Sequence, residues 1–263
     1  LWRLAEGLAS PESVIYDPQR RQLYVSSTNG RGDAVDGNGY VSVVGADGRM
    51  LVRDWAVGMD GPKGLALADG LLYGTDILRM FAIDPASGAM VWRRQEPGVV
   101  YLNDAVAAPD GGVFVSDARG NAIVHVDASG VRDRYRNPAM QRPNGVSVWN
   151  GALYALIGTP GAGDDPGDHR VLARLEPGRD PIVQPSAWTD FGRADGLEPD
   201  GRGGWFITTN ATNQVLHSSP RGAVTVLATL EANTTDLCFD AVNQRLYVPS
   251  GRGNFVQAYS VNW

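Results

Sequence analysis

Six residues, Glu12, Lys63, Asn103, Asn144, Asp195 and Thr235, stand in the short contexts SPESVIY, GPKGLAL, YLNDAVA, RPNGVSV, RADGLEP and TTDLCF. Four of them, Glu12, Asn103, Asn144 and Asp195, offer carboxylate or amide oxygen, and no histidine or cysteine belongs to the set. Hard oxygen ligands completed by water suit Ca²⁺ and poorly suit Zn²⁺ or copper. Mg²⁺ or another divalent ion is the lesser fit, because Mg²⁺ keeps more of its own waters. A cation held this way can polarise an ester, lactone or phosphoryl oxygen. Asp195 is then the ligand that also does chemistry, and Asp104, one residue past Asn103, is an orienting carboxylate or a base. The competing reading is that polar side chains line a channel only to satisfy backbone groups. Two acids and two amides at equivalent places favour the metal.

The equivalence comes from a repeat. An aromatic flanked by apolar residues recurs as Tyr24, Tyr73, Phe114, Tyr154, Phe206 and Tyr247, at separations of 49, 41, 40, 52 and 41 residues. Ahead of each lies a short apolar run and a turn, often Asp-Gly or Asn-Gly, the pairs that favour tight hairpins. After each comes a third alternating run, and in most units a fourth. Four strands in roughly 40 to 45 residues is the period of a β-propeller blade. The chain is therefore expected to be all-β, one six-bladed β-propeller spanning 1–263 with four antiparallel strands per blade. The sixth copy ends after its third strand, so the N-terminal LWRLAEGL is expected to close the last blade. Counting back 10 to 12 residues from each aromatic reaches the six residues above, at the head of each innermost strand. Their side chains should converge on the central axis.

Two units carry extra residues between their second and third strands, at 27–39 and 157–169. Both should emerge at the mouth of the channel, as lids or as plain surface insertions. Their Asp33, Asp36, Asp164, Asp165 and Asp168 then belong either to the mouth or to solvated loop charge. Lys63 is expected either to hold a substrate anion or to pair with Glu12 or Asp195. Tyr101 and Thr235, with Asn103, are candidate substrate contacts. Asp236 matches Asp104 in blade six and is expected to bond strand-end N–H groups. His125 and His217 fall in third strands, away from the axis, whereas His169 reaches the mouth only if its loop folds inward.

Composition narrows the partners. The 33 glycines and 16 prolines punctuate short runs, and no stretch offers eighteen consecutive apolar residues, so no membrane span is expected. A formal charge of −6 without basic clusters argues against nucleic acid. The single Cys238 excludes an internal disulfide framework. Glycosylation-acceptor patterns at Asn210 and Asn233 read as coincidences.

The motifs PES, LND, PNG and ADG, in this order and at blade spacing, resemble the senescence-marker-protein/gluconolactonase family of six-bladed propellers, along the whole chain. The resemblance implies that Glu12, Asn144 and Asp195 hold a divalent cation, usually calcium. It makes Asn103 a fourth ligand, as in the related diisopropyl fluorophosphatase type, or a substrate contact. It implies hydrolysis of sugar lactones or phosphoesters, although Tyr101 stands where sugar-lactonase relatives place an arginine, which counts against gluconolactone. A strictosidine-synthase-like condensing propeller finds no support. The expectation is thus a calcium-dependent hydrolase of a small-molecule lactone or ester; the alternative is a non-catalytic propeller that binds a small ligand or protein with a structural cation. A monomer is expected, since ring closure leaves only short edges. By resemblance to exported relatives the location is periplasmic or secreted, with the cytoplasm as the alternative.

Overall fold

The computed structural model describes residues 1–160 and 165–262. It is all-β, with six four-stranded antiparallel sheets. Among the described residues the one helical turn is the 3-10 segment Pro166–Asp168. Blade one runs through Pro11–Asp17, Gln22–Ser27, Gly39–Gly45 and Met50–Met59, and the next four blades repeat that order. The sixth is built from Cys238–Asp240, Arg245–Ser250 and Phe255–Ser260, and its outer strand is Trp2–Leu4. The closing strand pairs Trp2 with Ala258 and Leu4 with Val256, so both chain ends lie in one blade.

The core is divided among the blade interfaces. Each of six clusters of buried apolar side chains joins residues of two neighbouring blades, for example Tyr24, Val43, Leu65 and Phe81 between blades one and two. Apolar runs serve both faces of such sheets, which is why the second and third strands are almost continuously buried. Of the six repeated aromatics, Tyr24, Tyr73, Phe206 and Tyr247 are fully buried. Tyr24 meets Trp55 at 4.9 Å, and Tyr247 meets Trp2 of the closing strand at 5.8 Å.

The innermost strands share one irregularity. In blades one, two, three and five the pairing with the second strand slips at Glu12, at Lys63 and Gly64, at Asn103 and Asp104, and at Asp195 and Gly196. A bulge re-aims the side chain it carries, and here it frees one residue per blade from the alternation of the sheet. In blade four Asn144 and Gly145 precede the strand Val146–Trp149 and are still bonded to Leu156 in both directions.

Second-strand hydroxyls hold these displaced segments. Ser26 Oγ accepts the Ser13 N–H at 3.0 Å and donates to the Lys63 carbonyl of the next blade at 2.7 Å. Thr208 Oγ1 accepts the Gly196 N–H at 2.8 Å and donates to the Thr235 carbonyl. Thr75 donates to the Asn103 carbonyl, and Ser116 accepts from Asp104 N. One hydroxyl thus satisfies a bulged N–H in its own blade, a carbonyl in the neighbour, or both.

The staples are expected to be separable from the core by mutation. Thr208→Val strands the Gly196 N–H and the Thr235 carbonyl and should cost about 1–3 kcal/mol. At roughly 2–4 °C per kcal/mol for a chain of this size, calorimetry should record a drop of several degrees. An unchanged melting temperature would show that the staple carries no stability.

Candidate functional site

Glu12, Asn103, Asn144 and Asp195 line one cavity on the axis, together with Ser13, Gly64, Asp104 and Asp236. Its volume is about 10 Å³, room for one water-sized occupant. The four oxygen-bearing residues from blades one, three, four and five are therefore brought together. Asn103 Nδ2 donates to Asn144 Oδ1 at 2.7 Å, and Asn144 in turn hydrogen-bonds Asp195. Glycines allow the inner strands to approach this closely. A Cβ at Gly145 would lie 2.4 Å from the Asp195 carbonyl, and one at Gly64 would lie 2.6 Å from the backbone of Asp104.

The cavity concentrates acid. Glu12 and Asp195 keep part of their surface open to the channel, yet surrounding protein strips most of their water. Burial, opposed by Lys63 and reinforced by Asp195 and Asp236, pushes the Glu12 carboxyl up to about 7. Burial also raises Asp195, while Arg170 foremost, then hydrogen bonds from Asn144 and Asn210, and Lys63, pull it back. Asp236 is pushed up to about 7 by burial, against a hydrogen bond from Ser13. Asp104 is raised well above the carboxylate range by burial and by Asp236.

Asp104 and Asp236 are anchored to the fold. Asp104 accepts Ala105 N at 2.7 Å and Val146 N at 2.8 Å, one on each oxygen. Asp236 accepts Leu237 N at 2.7 Å and Ser13 Oγ at 2.6 Å. They form a partition: beyond them lies a second space of about 150 Å³, whose walls include Val14, Leu65, Val146 and Glu198. Glu198 is raised well above the usual range by burial, then by Asp236, and no sequence signal pointed to it.

Two ring positions do something other than expected. Thr235 is buried, its hydroxyl donates 3.3 Å bonds to the carbonyls of Pro11 and Pro249, and it is not part of the cavity wall. Its side chain closes blade six against blade one, and Asp236 takes its place at the axis. Lys63 is 2 % exposed and makes no ion pair with Glu12 or Asp195 within 4 Å. Its ammonium instead donates to the Gly32 carbonyl at 2.6 Å and to Gly61 at 3.4 Å. The Tyr101 hydroxyl donates to the same Gly32 carbonyl at 3.2 Å, and the Arg119 guanidinium stacks on the Tyr101 ring. The 27–39 insertion is thus pinned at the mouth through Gly32, and its Asp33 and Asp36 stay exposed among loop partners.

Above the cavity opens a cleft of about 210 Å³ that shares Asn144 and Asp195 with it. Its other walls are Arg142, Asp165, Gly167, Asp168, Arg170, Arg193 and Asn210. Asp165 and Asp168 of the second insertion do face the mouth, whereas Asp164 lies outside the described residues. Sequence reasoning missed the arginines and Asn210, because they stand at strand ends and loop stems, where the repeat gives no register. His169 is exposed and bonded to Asp190, so it does not enter the mouth. His125 bonds the Gly111 carbonyl and His217 bonds Asp200, both in third strands.

The donor set fits a hard divalent cation. Two desolvated carboxylates and two amides surround a single-occupant space, with no carboxylate among them in an ion pair within 4 Å among the described residues. No group of three or more His, Cys, Asp or Glu arranged to hold a metal occurs among those residues; the amides are what complete this set. That suits Ca²⁺ or Mg²⁺ better than a transition metal.

The chain resembles solved propellers in shape far more than in sequence. A candidate gluconolactonase matches with a TM-score of 0.69 at 18% identity, covering 98% of this chain and 90% of its own. Hydrazine synthase from Kuenenia stuttgartiensis matches at 0.66 with 13% identity, covering 97% and 96%. Virginiamycin B lyase from Staphylococcus aureus matches at 0.61 with 13% identity, covering 100% and 88%. No protein-family model and no curated protein sequence matches the chain. At such identities the likeness establishes the fold. Propellers of this shape include assigned enzymes, and the chemistry has to be argued from the site.

Two outcomes are expected of the site. Because the Glu12 and Asp236 carboxyls are raised to about 7 in the folded state, their protonation favours folding. Metal-free protein should therefore lose stability as pH rises from about 5 through 7. Melting curves in EDTA should show that decline, Glu12→Gln should flatten it, and Ca²⁺ should restore more stability at pH 8 than at pH 5, since bound metal requires the carboxylate. In Gly145→Ala the new Cβ must displace the Asp195 backbone, so calcium affinity by calorimetry should fall at least about tenfold, a loss of about 1.4 kcal/mol.

Proposed function

We propose that this propeller is a divalent-cation-dependent hydrolase, Ca²⁺ being the best-fitting ion, that opens a lactone or ester of a small molecule at the channel mouth. The observation that supports this most is the joining of two spaces: an ion-sized cavity ringed by Glu12, Asn103, Asn144 and Asp195, and a substrate-sized cleft that shares Asn144 and Asp195. A bound cation would supply Lewis-acid polarisation of the substrate carbonyl.

The residues divide the remaining work. Glu12, Asn103, Asn144 and Asp195 would hold the ion. Asp195 borders both spaces, and with Arg170, Asn144 and Asn210 favouring its charged form, it is the group placed to take a proton from an attacking water. Of the two roles open to Asp104, orientation fits better than proton transfer, since both of its oxygens already accept backbone N–H bonds. Asp236 matches it by holding Ser13 beside Glu12. Lys63 and Tyr101 act through the lid, by fixing Gly32. The alternative, a ligand-binding propeller with a structural cation, draws support from the bonds that tie the neighbouring Asp104 and Asp236 to the fold. We further propose that the protein acts as a monomer outside the cytoplasm.

A panel of lactones and aryl esters, assayed with and without EDTA, tests the reading. Turnover should vanish on chelation and return with Ca²⁺. Asp195→Asn should lower kcat by about 10²-fold or more, in the range of acid–base contributions, whereas Asp104→Asn should act mainly by lowering cation affinity. Turnover untouched by chelation would remove the metal from the reaction, and no turnover of any substrate would favour the binding protein.

A further inference from the structure

The outer cleft is lined by three arginines, Arg142, Arg170 and Arg193, and by three aspartates, Asp165, Asp168 and Asp195. Arg193 pairs with Asp168, and Arg142 Nη2 lies 3.4 Å from Asp165. Arg170 has no carboxylate within 4 Å among the described residues, although it is 8 % exposed. Its Nε donates to the Arg142 carbonyl at 3.2 Å and its Nη1 to the Ala194 carbonyl at 2.7 Å, which fixes the plane of the guanidinium. No described residue accepts from its Nη2. Beside it, Arg142 Nε is buried without a hydrogen-bond partner. Both nitrogens border one small space: a Cβ at Gly167 would stand 3.1 Å from Asp165 Oδ1, 3.3 Å from Arg170 Nη2 and 3.4 Å from Arg142 Nε. The absence of a side chain at 167 leaves the two guanidinium edges facing one gap, beside the Asp165 carboxylate that Arg142 Nη2 already engages.

Burying a guanidinium without a counter-charge is costly, and burial does hold the Arg170 pKa below its usual value. Asp195 gives it the largest electrostatic support, with smaller contributions from Asp165 and Asp168, but Asp195 faces the inner cavity as well. A planar fork with free N–H groups matches a carboxylate or phosphate.

We propose that the cleft bounded by Arg142, Gly167 and Arg170 is an oxyanion subsite, and that the substrate is an anionic lactone or ester bearing a carboxylate or phosphate group. That group rests on the two arginines while the scissile carbonyl reaches toward Asn144 and Asp195. The subsite is independent of the metal; the substrate class rests on the hydrolase reading above.

Binding is measured first on the whole protein in EDTA, so that neither metal nor turnover enters. Succinate, inorganic phosphate and uncharged dimethyl succinate are titrated by calorimetry or by NMR of the arginine Nε–H signals. Succinate or phosphate should bind and dimethyl succinate should not; the tighter of the two anions identifies the group. Arg170→Gln and Arg142→Gln should each weaken binding roughly ten- to hundredfold, the range of a charge-assisted hydrogen bond. Should Arg170→Gln unfold, Gly167→Ala keeps every charge and fills the gap, and it should weaken binding comparably. Anion affinity unchanged in Gly167→Ala and Arg142→Gln, or equal affinity for dimethyl succinate, overturns the subsite. With Ca²⁺ restored, kcat/KM for a carboxylate-bearing lactone should exceed that of its methyl ester by at least tenfold, the gap closing in Arg142→Gln. Anion binding without any turnover would leave the subsite standing and defeat the hydrolase and the substrate class together.

Discussion

Negative charge gathered in a desolvated channel is the constraint around which this propeller is organised. Glu12, Asp104, Asp195, Glu198 and Asp236 share one axis, and burial raises the proton affinity of every one. Such a cluster persists only where protons, cations or dense hydrogen bonding compensate it. The fold supplies hydrogen bonds through the strand-head N–H groups of Ala105, Val146 and Leu237, which point at Asp104 and Asp236. The upper pair relies on side chains instead: Arg170, Asn144, Asn210 and Lys63 favour the charged form of Asp195, and Lys63 that of Glu12.

The same architecture separates two tasks. The ion-sized cavity is formed by inner strands, stapled from blade to blade by Ser26, Thr75 and Thr208. The larger cleft is formed by strand ends and by the blade-four insertion, which carry the arginines. Asn144 and Asp195 belong to both, so substrate and ion would meet at two residues. Placing the variable part of a site on loops and its invariant geometry on strands is a general solution for folds that host many reactions.

Much of the molecule was legible before any coordinates. The recurrence of Tyr24, Tyr73, Phe114, Tyr154, Phe206 and Tyr247 reports a burial requirement that each blade repeats, and the count back from it found the strand heads. The lack of a fourth strand in the last copy foretold the pairing of Trp2 with Ala258. Lys63 and Thr235 were placed at the right height and given the wrong company. Register says which residue stands at a strand head, but the bulge decides whether its side chain turns to the axis, to a loop carbonyl or to the neighbouring blade.

The sequence by itself determined the blade number, the ring closure and the heads of the six innermost strands, because strand alternation and turn chemistry are local and repeat with the chain. Only the tertiary structure decided which groups share a cavity, how far burial shifts their protons, and that Arg142, Arg170 and Asn210 meet Asp195. Those residues are distant in sequence, and they stand on loops and strand ends with no periodicity. Their meeting is set by how blades four and five pack, and nothing along the chain encodes that in a readable interval.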